Sequence, residues 1–459
     1  MIKGNQHPTQ ITRLYGRREL LRNAGACIPL ALIGGEAAVN IANSIYDSTD
    51  YLSGQRLYQD VVTYCKFGDH RTATTADIET SRWLADELRR VGFEAKLEPF
   101  TLQQFYLKTS ALIINGKPVN SFPLWWPQTT GANPVTGPLV AITGNEPSGS
   151  LKGRIALVKI PPVAGASIIP NSSVHKIIGP VVQTGVAAIV AVTLSPTGEI
   201  VALNAMAGPD KWPLPILTVG QSDESMLDTV ARTGAQASVQ IDGTYNEKAE
   251  AFETIGRLKR GKNLMIVSTP SSGWFQCAGE RGPGIALWLG LARWAAARKS
   301  DMSWLFVASS GHELNGVGIR HFIDHIAPQP GEVRGWLHLG AGIATNDYKK
   351  TEQGLEKAET ASRARRLFSS ADFEPVLADA FAGLPDLKPI VADRPGGEMV
   401  AMAQRGYRYF GFAGGSVFHH MPGDVPERIT SPGLLEPVGH ALVKALAAIE
   451  AGVVKGENK

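Results

Sequence analysis

Between residues 263 and 414 the chain alternates two kinds of apolar segment, and that alternation leaves few folds open. NLMIVST (263–269), MSWLFVAS (302–309), GWLHLG (335–340) and YRYFGFAG (407–414) are short apolar runs of strand length. GIALWLGLARWAAAR (284–298) is too long for a strand and lies between the first two; NGVGIRHFIDHI (315–326) begins a second helix after MSWLFVAS. Strands apolar on both faces and separated by helices predict an α/β fold. Its central sheet is mostly parallel and covered by helices on both faces. In such sheets the working residues gather just past the C-terminal ends of the strands.

The 459 residues exceed one domain at roughly 150 residues each. Residues 77–93 space Ile78, Trp83, Leu84, Leu88 and Val91 near a helical period, with Gly92 suited to end the helix. Residues 120–245 differ in texture. They are rich in Pro, Gly, Val and Ile, with short apolar runs (LVAIT, RIALVKI, AAIVAVT, PILTVG) between turn residues, and predict a small β-rich insertion. The expected division is a leader over 1–45, one domain built from 46–119 and 246–459, and the insertion over 120–245.

The leader pairs Arg17 with Arg18, then runs through a mildly apolar stretch from Ala24 to Gly35 to the small residues Ala37 and Ala38. That order is the order of an export signal, and the paired arginines resemble a twin-arginine signal, cleaved within 35–45. An amphipathic N-terminal helix is the alternative. The expected location is therefore periplasmic or secreted. Residues 1–22 carry five basic side chains against Glu19, while the whole chain is +3, so the remainder is slightly acidic. A body without basic excess excludes nucleic acid as the expected partner. It also holds no apolar run of about 18 residues, so no membrane span is expected. Cys27, Cys65 and Cys277 match neither a disulfide framework nor a zinc ribbon.

Four strand ends offer chemistry. Thr269-Pro270-Ser271 follows the first, with Cys277 to Gly284 entering a helix; Gly311-His312-Glu313 follows the second; His338 lies on the third; His419-His420-Met421-Pro422-Gly423-Asp424 follows the fourth. Carboxylates and imidazoles converging on one sheet edge form a ligand set that suits zinc. Each has a blander reading too: a Glu after a strand is commonly a solvated loop residue, and a His beside Phe418 a packed one.

Their order along the chain resembles the zinc-dependent exopeptidases, the family of bacterial leucyl aminopeptidases, glutamate carboxypeptidase and glutaminyl cyclases. FGDHRTATTADIETSRWLADELRRVGFEAKLEPF is similar to that family's N-terminal helix region. Residues 120–245 resemble its inserted protease-associated domain. VASSGHELNGVGIRHFI resembles the stretch around its paired glutamates, and HHMPGDVPERI its final histidine segment. The departures are informative. Thr269-Pro270-Ser271 stands where the family has His-x-Asp, and His338-Leu339-Gly340 where it has Asn-x-Asp. The bridging Asp falls on Glu280, the Glu-Glu pair on His312-Glu313, and the last His on His420.

The resemblance implies that Glu280, Glu313 and His420 keep one zinc while the second zinc's site is lost. His312 then stands at the general-base position, with two alternatives, a metal ligand or a filler of a dead pocket. His338 could replace a lost ligand. Arg281 is either a receptor for an anionic substrate group or a solvated surface residue. Glu398 and Asp393 lie where related members meet the substrate amine. Trp125, Trp126 and Trp274 either line an apolar substrate pocket or cover the junction with the insertion. The expected activity is metal-dependent hydrolysis of an amide in a small peptide or acylated amine. The alternatives are a catalytically inactive binding protein and a one-zinc enzyme that transfers or cyclises an acyl group without hydrolysis.

Overall fold

A computed structural model describes residues 50–452, apart from 143–146, 148, 163–166, 169–171 and 209. The expected leader and its twin-arginine signal lie outside the described residues. Helix α1 (Gly54–Cys65) buries Leu57, Val61 and Tyr64 at helical spacing. Helix α2 (Thr75–Arg90) buries Ala76, Thr80, Leu84 and Leu88 along one stripe, and Gly92, at φ 92°, ends it as the sequence predicts.

The strands are β1 (Glu94–Ile114), β2 (Lys117–Val119), β3 (Phe122–Pro123), β4 (Val135–Ala141), β5 (Ile155–Ile160), β6 (Ala188–Thr193), β7 (Ile216–Gly220) and β8 (Gln236–Leu258). They continue with β9 (Asn263–Pro270), β10 (Met302–Ser309), β11 (Gly335–Leu339), β12 (Asn346–Thr351), β13 (Gly354–Ala361), β14 (Arg366–Ser369), β15 (Pro389–Val391) and β16 (Tyr409–Ala413). One sheet runs in the order β15-β14-β16-β11-β9-β10-β8-β4-β5-β6-β7-β3, while β12 and β13 form a separate pair. Strands β16, β11, β9 and β10 are mutually parallel. Strand β8 closes that set antiparallel to β10, and β1 lies antiparallel along β8.

Alternation along the parallel strands explains how both faces are covered. Met265, Val267, Trp304, Phe306, Leu337 and Leu339 face one core, together with α1 and the helix α5 (Gly282–Ala297). Ile266, Leu305, Val307 and Trp336 face the other, together with α6 (Val317–His325) and α8 (Met399–Gln404). The intervening labels are α3 (Ser173–Gln183), α4 (Glu224–Thr233) and α7 (Glu374–Ala380); α9 (Pro432–Glu450) ends the described chain. After β9 the chain passes to β10 on one side, and then returns across β9 to β11 on the other. That reversal opens a crevice beyond the C-terminal end of β9.

Residues between β1 and β8 form more than short strands. Strands β4, β5, β6 and β7 pair in parallel, with α3 between β5 and β6 in sequence and α4 following β7. The helices escape the composition reading because each is short. Helix α3 carries Gly179 and Pro180 yet buries Val174, Ile178 and Val181, and Ser172 caps it by accepting from the His175 amide. Residue 245, the expected end of the insertion, falls within β8, which runs on unbroken to Leu258.

Candidate active site

Three turns meet at the crevice. The first follows β9, where Thr269 donates its hydroxyl to the Leu339 carbonyl at 2.8 Å, and Ser271 and Ser272 are buried. The second follows β10. Gly311 has φ 90°, and a Cβ there would lie 2.4 Å from Val317 Cγ1, so only glycine makes this turn into His312 without strain. The third precedes α5 and holds Glu280. Asp424 shapes it by accepting from the Gly279 amide at 2.6 Å and the Glu280 amide at 3.1 Å. Burial pushes the Asp424 carboxyl up to about 7.

Glu280 and His420 are brought together, and Glu313 is not part of their group. Both Glu313 oxygens are already engaged. Oε1 accepts from the Thr72 amide and hydroxyl, each at 2.6 Å, and Oε2 accepts from Ser272 Oγ at 2.7 Å. This carboxylate ties the loop before α2 to the turns after β9 and β10. The third side chain beside Glu280 and His420 is His419, which the sequence reading did not single out as a ligand. One ligand atom each from Glu280, His419 and His420 lies within 4.8 Å of the others.

Glu280 Oε2, His419 Nδ1 and His420 Nε2 are buried without a hydrogen-bond partner among the described residues. His420 is held by Ala202, whose amide donates to its carbonyl at 2.9 Å and whose carbonyl faces its Nδ1 at 3.1 Å. With Nδ1 donating there, Nε2 carries a lone pair, 3.2 Å from Glu280 Oε1. Burial, with His420 beside it, lowers the His419 pKa to about 3, so that ring is neutral. Burial opposes the charge on Glu280, but the adjacent Arg281 guanidinium outweighs it and holds the carboxyl well below its usual range. One carboxylate and two imidazoles with unused lone pairs fit a single zinc-like cation.

Arg281 is neither solvated nor open to a substrate. It is fully buried, donates to Glu280 Oε1 at 2.6 Å and to the Ser272 carbonyl at 2.8 Å. The surface reading fails because the residue enters α5 beneath the sheet edge, where only a carboxylate and carbonyls can satisfy a guanidinium.

A cavity of about 370 Å³ opens beside this group, lined among others by His312, His338, His419, Glu398, Arg320 and Asn204. His312 Nδ1 lies 2.9 Å from Glu398 Oε1, and His338 Nε2 lies 3.7 Å from Glu398 Oε2. Burial works against ionisation of Glu398, yet the His312 hydrogen bond and the neighbouring charges hold its pKa below the usual value. Asp393 is exposed. Trp125 and Trp274 pack edge to face at 5.2 Å inside an aromatic cluster, while Trp125 and Trp126 also line a separate cavity of about 320 Å³. In sequence, Glu398 was legible only through the resemblance, and the doubled His419-His420 was the one available sign of the second imidazole.

No family model and no curated protein matches the chain. Solved structures do. The zinc aminopeptidase BSAP from Bacillus subtilis superposes with a TM-score of 0.68 at 16% identity, over 89% of this chain and 96% of that one. A peptidase M28 precursor from Shewanella amazonensis gives 0.65 at 13% identity, over 90% and 96%. An aminopeptidase from Aneurinibacillus sp. gives 0.58 at 14%, over 87% and 94%. Across nearly its whole described length, the chain has the fold of the zinc aminopeptidases.

Proposed function

We propose that the protein is an exported hydrolase of an amide bond in a small peptide or acylated amine, working with one metal ion. The observation that carries this reading is the His312–Glu398 pair at the wall of a cavity beside three buried, unpartnered ligand atoms. Glu280, His419 and His420 would hold the cation, which when bound polarises the substrate carbonyl. Glu398 takes the Nδ1 proton of His312 as a hydrogen bond. That leaves Nε2 as the base that accepts a proton from the attacking water and returns it to the leaving amine. Glu313 has a structural part, since its oxygens are spent on Thr72 and Ser272.

Metal content of the purified protein tests the centre. About one ion per chain is expected, lost in His420→Ala and in His419→Ala; equal trace metal in all three would sink the one-ion reading. A panel of aminoacyl and acyl amides tests the chemistry. Turnover is expected to fall about 10²–10⁴-fold in His312→Ala; in the native protein the two products together should exceed the substrate mass by one water, which separates hydrolysis from cyclisation.

A second reading has one observation in its favour. Arg281, 2.6 Å from Glu280 Oε1, already supplies a fixed positive charge to that carboxylate. A protein that holds no metal and turns over no amide would be a binding protein built on the exopeptidase fold.

A further inference from the structure

Ser268 and His338 are direct partners across the parallel pair β9–β11. They share the sheet face of Ile266 and Trp336. Ser268 is fully buried, and its Oγ has two neighbours in hydrogen-bond range: Trp336 Nε1 at 2.7 Å and His338 Nδ1 at 2.9 Å. An indole nitrogen only donates, so Trp336 uses Ser268 Oγ as acceptor. Among the described residues the one other group in range of that hydroxyl is His338 Nδ1, so the Ser268 proton finds its acceptor there. A neutral imidazole so engaged carries its own proton on Nε2.

That Nε2 faces Glu398 Oε2, which is buried and has no hydrogen-bond partner among the described residues, at a separation longer than a hydrogen bond. The other oxygen, Oε1, holds His312. We propose that His338 is a positioning residue: the Trp336–Ser268 pair sets its tautomer, its Nε2–H steadies one oxygen of Glu398, and the steadied carboxylate orients His312. This rests on His312 being the proton carrier. It separates His338 from the cation ligands, since its Nδ1 is spent on Ser268 and its Nε2 is turned to Glu398. Charged or titratable groups that also face this trio include Arg281, His419 and, on the cavity wall, Arg320.

The test is nitrogen-15 NMR of the histidine side chains in the full chain. The native protein is expected to show His338 protonated on Nε2 and His312 on Nδ1. Ser268→Ala should give a mixture of His338 tautomers and move the His312 resonances, with kcat down about tenfold and KM unchanged. Trp336→Phe is the second variant. It removes the indole donor that restricts how the Ser268 hydroxyl turns, so its proton can leave His338 and an Nδ1–H signal should grow in there. Native His338 protonated on Nδ1, or unmoved His312 resonances in a folded variant, would overturn the proposal. Absence of any amide turnover defeats the functional reading instead, and the tautomer measurement still decides this one.

Discussion

Glu313 and His419 make opposite demands on the chain, and substitution should separate them. Glu313 accepts three hydrogen bonds from Thr72 and Ser272, and all three residues are buried from bulk solvent. Glu313→Ala should cost about 3 kcal/mol or more, because donors to a buried carboxylate are left unsatisfied; chemical denaturation measures it. Metal content in that variant should stay native. His419→Ala should do the reverse, losing metal with a small change in stability. A Glu313 variant that loses metal while keeping its stability would return Glu313 to the ligand set. The spacing of Glu313 after β10 was legible in the sequence. That its carboxylate turns to Thr72, 241 residues away in the chain, was not, because no local pattern encodes a partner at that distance.

At the level of elements, α5 is the part most tightly specified. It is buried on nearly every side, and its long unbroken run of apolar residues already encodes that burial. Its first turn must also pass close to two strand ends. A Cβ on Gly284 would lie 2.7 Å from the Leu339 carbonyl and 2.8 Å from Thr269 Oγ1. Gly284→Ala should therefore push α5 off β9 and β11 and destabilise the protein by about 1–3 kcal/mol; a shift in thermal midpoint reads it out. An unchanged midpoint would mean that the helix docks more loosely than these distances say. Strands β9, β10, β11 and β16 were plain in the sequence because alternating burial on two faces requires continuous apolar runs. Helices α3 and α4 were not, since ten or eleven residues with a Gly-Pro pair or a polar face give too little periodic signal.

For the whole molecule, buried titratable groups pull stability in two directions. Burial raises Asp77 and Glu253 to about 8 and Asp424 to about 7. A carboxyl raised in the fold supports it in full below about pH 4, and that support is lost as pH climbs through 7–8. Burial lowers His70 and His338 to about 4 and His419 to about 3. Those rings support the fold above about pH 6.5 and lose that support as pH falls toward 4 and 3. Thermal midpoints measured across pH should thus fall on both sides. Glu253→Gln should flatten the alkaline side between about 4.5 and 8 and leave the acid side unchanged. An equally steep alkaline side in that variant would show that Glu253 ionises in the fold as readily as in the unfolded chain.

Taken alone, the order of apolar runs was enough to specify a parallel sheet with helices on both faces, because strand length, helix length and their alternation are local properties. It also placed the reactive residues past the strand ends, since connectivity in such sheets leaves them nowhere else to gather. Which of those residues touch was decided in three dimensions. Glu280 meets Arg281, His419 and His420, Glu313 meets Thr72 and Ser272, and His312 meets Glu398. Each of those choices turns on how a buried charge finds compensation. Compensation depends on distances between side chains that only the packed fold brings within reach.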